Sequence, residues 1–263
     1  MRNLILFFIC LFSVLTLSAQ QPSTRPIYEL TYIKAAPGKM AELLQCETQV
    51  WTKIHAQLKE EGKILDWSLW QVMSPGGSES GYDFVVVKEL PDWKSLEKAP
   101  DYAYIFSTMD WTREERELFA KTDILGEVVK SEVYRFEGGV ENGREKTAQF
   151  AAVNYMKTVQ GENNDYFNME LKFFKPWFSI VVQNGKREGW SMLSLQFPWG
   201  EEVGYNGITV DYFNSLEQKF IELDQDWEQL HWEADLQDVV ESMESRRRLV
   251  KGVLLKRVVD LNQ

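Results

Sequence analysis

The 263 residues carry 40 acidic against 29 basic side chains, a formal charge of −11. That balance speaks against nucleic acid and anionic membranes as partners, because phosphate binding needs a surplus of Lys and Arg. Hydrophobic residues make up 44%, with 10 Trp, 10 Tyr and 15 Phe, enough for one large core or two small ones.

Met1, Arg2 and Asn3 precede an apolar run from Leu4 to Leu17, followed by Ser18, Ala19 and Gln20. This charged, apolar, small order is that of a secretory signal, so residues 1–19 are expected to be a leader cleaved after Ala19. The run falls short of the roughly 20 residues a bilayer-spanning helix needs, and no later segment approaches that length. The mature chain is therefore expected without a membrane span, in the periplasm or outside the cell. Cys10 lies inside the run rather than after the small residues, which argues against a lipid anchor. Losing the leader leaves Cys46 alone, so no intrachain disulfide is expected.

From Tyr28 to Lys34, aromatic or aliphatic residues alternate with polar ones, the period of a strand. Met40, Leu43, Leu44, Trp51, Ile54 and Leu58 then recur at helical spacing, and Gly62 supplies the stop expected just past a helix end. Trp67–Met73 and Tyr82–Glu89 read as a hairpin around a tip holding Pro75, Gly76, Gly77 and Gly81. A helical region follows over Asp92–Thr122, then a strand over Glu127–Phe136.

The same order returns 123 residues later. Tyr32, Lys34, Gly38, Glu47, Gly62, Lys63, Trp67 and Ser68 match Tyr155, Lys157, Gly161, Glu170, Gly185, Lys186, Trp190 and Ser191. Pro75, Gly77, Glu79, Gly81, Tyr82 and Val87 match Pro198, Gly200, Glu202, Gly204, Tyr205 and Val210. Identity at this density exceeds what composition alone produces. The second copy has its strand at Ala151–Lys157, its hairpin tip at Pro198–Gly204, a helical region over Ser215–Arg248 and a closing strand over Leu249–Val259, where the register is read as slipping by one. Arg246, Arg247 and Arg248 are expected to form a solvated basic end to that last helix.

The predicted fold is α+β: two tandem ferredoxin-like βαββαβ units, 26–137 and 148–260, joined by a linker at 138–147. Each unit leaves one apolar sheet face uncovered. Packing the two sheet to sheet, as an intrachain pseudo-dimer, covers both. The expected state is a monomeric pseudo-dimer or a higher homo-oligomer of it.

On element order and duplication, the chain resembles the dimeric α+β barrel superfamily over nearly all its mature length. That group includes antibiotic-biosynthesis-type monooxygenases, NIPSNAP-like proteins and haem-binding relatives of chlorite dismutase. Trp51, His55, Gly62, Lys63, Trp67, Pro75 and Gly77 form a pattern similar to that of secreted bacterial proteins of this group. The resemblance implies small-molecule chemistry that in some members proceeds without a prosthetic group.

Glu47 sits on the apolar stripe of the first helix, and Glu170 holds the same place in the second copy among Tyr166, Phe167, Phe174 and Trp177. A carboxyl group in an aromatic pocket serves general acid or base chemistry; it serves equally to fix a helix to a sheet through hydrogen bonds. Tyr32 and Lys34 share one strand face, as do Tyr155 and Lys157. With Trp51, His55, Trp67 and Trp190 they are candidates to line a ligand pocket beside each Glu. His55 lies about 12 Å along the helix from Glu47, too far for both to hold one metal ion. Glu228 and His231 make only half of a paired di-iron arrangement. Haem enters through the resemblance alone, with neither His55 nor His231 in a recognisable motif. No cofactor and no metal are expected. The expected role is binding or transforming a small apolar or aromatic molecule in a helix-sheet cavity. The alternative is a non-catalytic binding or assembly protein of the cell envelope, meeting a partner through Trp93, Trp111, Trp199, Trp227 and Trp232.

Overall fold

The computed structural model describes residues 25–76, 81–140, 143, 145–200, 202–230 and 235–261. The predicted leader, most of the first hairpin tip, His231 and Trp232 lie outside the described residues. Eight strands are formed: β1 (Ile27–Ala35), β2 (Asp66–Ser74), β3 (Phe84–Leu90), β4 (Gly126–Val140), β5 (Phe150–Thr158), β6 (Gly189–Phe197), β7 (Gly207–Phe213) and β8 (Arg247–Asp260). They close into an antiparallel barrel in the order β1-β3-β2-β8-β5-β7-β6-β4. Each half thus contributes a four-stranded ferredoxin-like sheet, and the two sheets join at both edges. At one seam Leu69 of β2 faces Val259 of β8; at the other Phe136 of β4 faces Leu193 of β6. No described helix is long and apolar enough to cross a membrane.

The period-two pattern of the strands sorts side chains to two sides of this wall. Ile27 and Ile33 of β1 turn outward to the helices, while Leu30 and Tyr32 turn into the lumen. β5 repeats this, with Ala151, Val153 and Tyr155 inside. The lumen is one core shared by the halves, and each half has a further core between sheet and helices.

The main helix of each half is continuous but not uniform. In the first, Met40–Cys46 passes into a π-helical turn, Glu47–Trp51, before Thr52–Glu60. In the second, Asn163–Met169 leads into Glu170–Phe174 and then Lys175–Gln183. A wide turn frees carbonyls from the usual ladder. Thr52 Oγ1 donates to one of them, Glu47 O, at 3.0 Å; in the second half Pro176, lacking an N–H, follows directly. Gly62 and Gly185 end the helices at φ 68° and 71°, the left-handed stop their positions predict.

Three local expectations change. In the barrel Ile33 faces Val128 and Met156 faces Leu249, so matched strand partners sit 121 apart while the strands they face sit 123 apart. The closing strands are therefore offset by two residues, not one. The predicted helix over Ser215–Arg248 breaks into Leu216–Lys219, Asp224–Glu228 and Leu236–Glu244. Arg247 and Arg248 pair with Thr158 and Lys157 as the start of β8, and Arg246 alone turns back to Ser242 O at 3.0 Å. The basic cluster is thus a strand entry rather than a helix end, because the aliphatic run that follows it must enter the barrel. Finally, β4 runs to Val140, into the predicted linker. Glycine allows this: a Cβ on Gly139 would come within 2.6 Å of Trp190 O across the seam.

Candidate functional site

The structure divides the predicted site residues between two sides of the barrel wall. Glu47, Trp51, His55 and Trp67 lie on the helix side of the first half, and Glu170 and Trp190 on that of the second. Tyr32 and Tyr155 lie in the lumen, their hydroxyls 3.0 Å apart. At the barrel end Lys34 pairs with Asp83 at 3.0 Å and Lys157 donates to Val203 O at 3.0 Å. One pocket beside each Glu therefore does not form. The Tyr and Lys occupy positions of the strand whose face the helix does not cover.

On the helix side of the first half, His55 stacks on Trp67 with centroids 4.9 Å apart and planes at 14°. Trp51 and Tyr102 complete an aromatic cluster, meeting edge to face at 5.3 Å. His55 Nδ1 donates to Trp51 O at 2.8 Å, one helical turn back. Burial pulls the imidazole down to about 3, so the ring is neutral. Beside this cluster a groove of about 990 Å³ opens between helix and sheet, lined among others by Glu29, Leu58, Lys88, Leu90, Leu96 and Tyr102. Its polar lining holds the Lys88–Glu29 ion pair at 2.6 Å and, around the rim, Lys63, Asp92, Lys94, Glu97, Lys98 and Asp101. In the second half Phe178 replaces His55 and stacks on Trp190 at 5.4 Å.

Neither predicted acid lines this groove. Glu47 is buried, and burial pushes its carboxyl up to about 8. Burial pushes Glu170 up to about 7, with Tyr166 and Arg247 opposing the rise. At neutral pH Glu47 is chiefly a neutral acid, able to donate a hydrogen bond without the cost of a buried charge.

A polar cluster that sequence reasoning missed closes one end of the lumen. Glu132 of β4 accepts from Tyr32 at 2.6 Å, Tyr134 at 2.9 Å and Lys130 at 2.7 Å, and also from Tyr205. Burial alone would raise this carboxyl, but Lys130 and the hydroxyl donors outweigh it and hold it low. Burial also keeps the phenols of Tyr32, Tyr134 and Tyr155 protonated. Lys251 lies over the Tyr155 ring at 4.4 Å. The signal available was Lys130, Glu132 and Tyr134 at period two, three polar groups on one face of a strand that β1 and β6 flank. Beyond Tyr155 the lumen keeps an open space, lined by residues of both halves.

Comparison with solved structures bears on the architecture. A candidate monooxygenase from Lactobacillus acidophilus superposes with a TM-score of 0.54 at 10% identity, over 90% of this chain and 95% of that one. The fold is that of the dimeric α+β barrels. A second such protein, a candidate monooxygenase from Fusobacterium nucleatum, gives 0.51 at 10% identity over 90% and 94% of the chains. A haem-binding protein from Thermus thermophilus gives 0.45 at 8% identity over 89% and 92%. No protein-family model and no curated protein matches this dimeric α+β barrel by sequence.

Haem does not fit the described histidine here. The His55 ring is packed against Trp67 and Trp51, and it lines neither the groove nor the lumen space. No group of three or more His, Cys, Asp or Glu that could hold a metal ion occurs among the described residues.

Proposed function

We propose that the protein is exported and binds a small apolar or aromatic molecule in the helix-sheet groove of its first half. The groove itself carries this reading. It offers aliphatic walls from Leu58, Leu90 and Leu96, an aromatic side at Tyr102 and one ion pair, Lys88–Glu29, to orient a polar substituent. A concave cleft with converging polar groups is the usual place for a small-molecule site, and the charged lining at Lys63, Lys94, Glu97 and Lys98 suits a ring that carries a polar substituent. Glu47 and Glu170 enter the reading as buried supports of the helix layer rather than as acid-base groups, since the groove does not reach them. The export reading rests on the leader pattern, and an intact mass for the mature chain beginning at Gln20 is its check.

The test is binding of 2-naphthol, followed by tryptophan fluorescence, to the wild type and to Tyr102→Ala and Lys88→Met. Each variant should weaken binding at least tenfold while native mass spectrometry of the freshly purified protein shows what it retains from its host. Unchanged affinity in both folded variants overturns the groove.

One observation favours a second reading, the assembly role. Trp93, Phe197 and Trp199 are 40%, 45% and 76% exposed. They touch in sequence, at 6.3 Å and 5.0 Å, across the two halves. Trp111 and Trp227, also expected at a surface, are buried. Trp199→Ser lowering the mass of the species seen in size exclusion would support assembly.

A further inference from the structure

The lumen differs from the groove in being walled by strands of both halves. Leu30, Val85, Val153, Leu193, Ile208 and Val210 line a space of about 100 Å³, with the Trp70 and Tyr155 rings facing it. Its origin lies in two places where the halves differ. The repeat sets Ala151 against Tyr28 and Leu193 against Trp70, and all four side chains line the space. The second half therefore supplies a methyl and an isobutyl group where the first supplies aromatic rings, and the missing volume is the hollow.

One end is sealed by the Glu132 cluster. At the other, the linker crosses the barrel and is tied down by Arg257, whose Nε donates to Ala148 O at 2.6 Å and Nη2 to Glu145 O at 2.8 Å. The guanidinium lies 4.3 Å over the Trp70 ring. Its charge is met inside the protein by Asp260 at 3.0 Å, the two side chains being 5% and 0% exposed. Tyr28, Ser68, Glu89 and Tyr212 are half-buried on this side and mark where the space approaches solvent.

We infer that the lumen is a second binding site, for a compact neutral molecule of one aromatic ring, entered at the linker end. Water is a poor occupant of the inner part, walled by Leu30, Val85, Val153, Leu193, Ile208 and Val210, since a buried water needs two to four polar partners and the polar side chains gather at the entrance. A cavity of about 150 Å³ lined by aliphatic and aromatic side chains is known to take benzene; the space here, at about 100 Å³, is smaller, so a single ring fills it and any substituent must point to the open linker end. An anion would meet Asp66, Glu89 and Glu145 at the entrance and Glu132 beyond Tyr155. A cation would meet Arg257, Lys251 behind the Tyr155 ring and Lys130 over the Tyr32 ring. Neither charge finds an uncompensated partner, whereas the Trp70 and Tyr155 faces suit a ring.

The inference stands independently of the groove and is tested separately. Toluene, benzoate and benzylamine are titrated into the full chain, with ligand-observed NMR as the readout and 2-naphthol as the groove control. Toluene should bind saturably and the two ions at least tenfold more weakly. Leu193→Trp, which copies the first half's residue, should weaken toluene at least tenfold and leave 2-naphthol unchanged. Should that variant not fold, Ala151→Val narrows the same space and should weaken toluene severalfold. Absence of saturable toluene binding to the wild type, or equal binding by a folded filled variant, overturns the site.

Discussion

Two buried groups on one helix pull the pH dependence of stability in opposite directions. Glu47 has an ordinary value of 4.5 and rises to about 8 in the folded chain. Between those limits the folded state holds a proton that the unfolded state releases, so stability is full below pH 4.5 and is lost as pH rises through 8. The loss is on the order of 5 kcal/mol at roughly 1.4 kcal/mol per unit. Glu170 adds the same sign up to about 7. His55 falls from 6.5 to about 3, so its contribution is full above pH 6.5 and is lost as pH drops toward 3. Glu47→Gln substitutes a neutral amide for a neutral acid. Urea midpoints at about pH 5 and about pH 8 should draw together in the variant, leaving the smaller slope that Glu170 contributes, with the variant more stable than wild type at the higher pH. A wild-type pH slope that survives the substitution undiminished removes Glu47 as a source.

At the scale of elements, the helices end where glycine lets them. A Cβ on Gly62 meets nothing within 4 Å, so its φ of 68° is the whole obstacle to a side chain. Gly62→Ala should cost about 1 kcal/mol, seen as a fall of a few degrees in Tm. Strand order, the first helix of each half and both glycine stops were legible in the sequence because each rests on local periodicity or backbone freedom; the later helical regions break into short helices that no local period marks. The sites were not. Matching the two copies draws attention to what they share, and Tyr32 with Tyr155 or Trp67 with Trp190 are shared because they build cores. The groove and the lumen depend on what is unshared: Tyr102 at the start of a short helix of the first half, Trp70 against Leu193, Tyr28 against Ala151. Glu132 was hidden for the same reason, since strand register puts Val253 in its place in the second half. Which face of β1 the helix would cover also had no local signal, and that choice separated Tyr32 from Glu47.

For the whole molecule, both sheet edges of each half are consumed at the seams β2–β8 and β4–β6. An isolated half would expose two unpaired edges, which associate readily. A chain divided within 141–144 should yield fragments that co-purify one to one, and each fragment made alone should elute above its monomer mass. Fragments that remain monomeric and folded would show that the seams contribute little.

Glu132 has one further consequence. Val253 occupies its place in the other half, so a single carboxylate near the pseudo-twofold axis accepts hydrogen bonds from both sides. Were the halves identical, two anions would crowd that axis and repel. Joining them in one polypeptide lets the acid be supplied once, which makes the halves complementary rather than interchangeable: two copies of the first would meet charge against charge, and two copies of the second would leave the phenols without their acceptor.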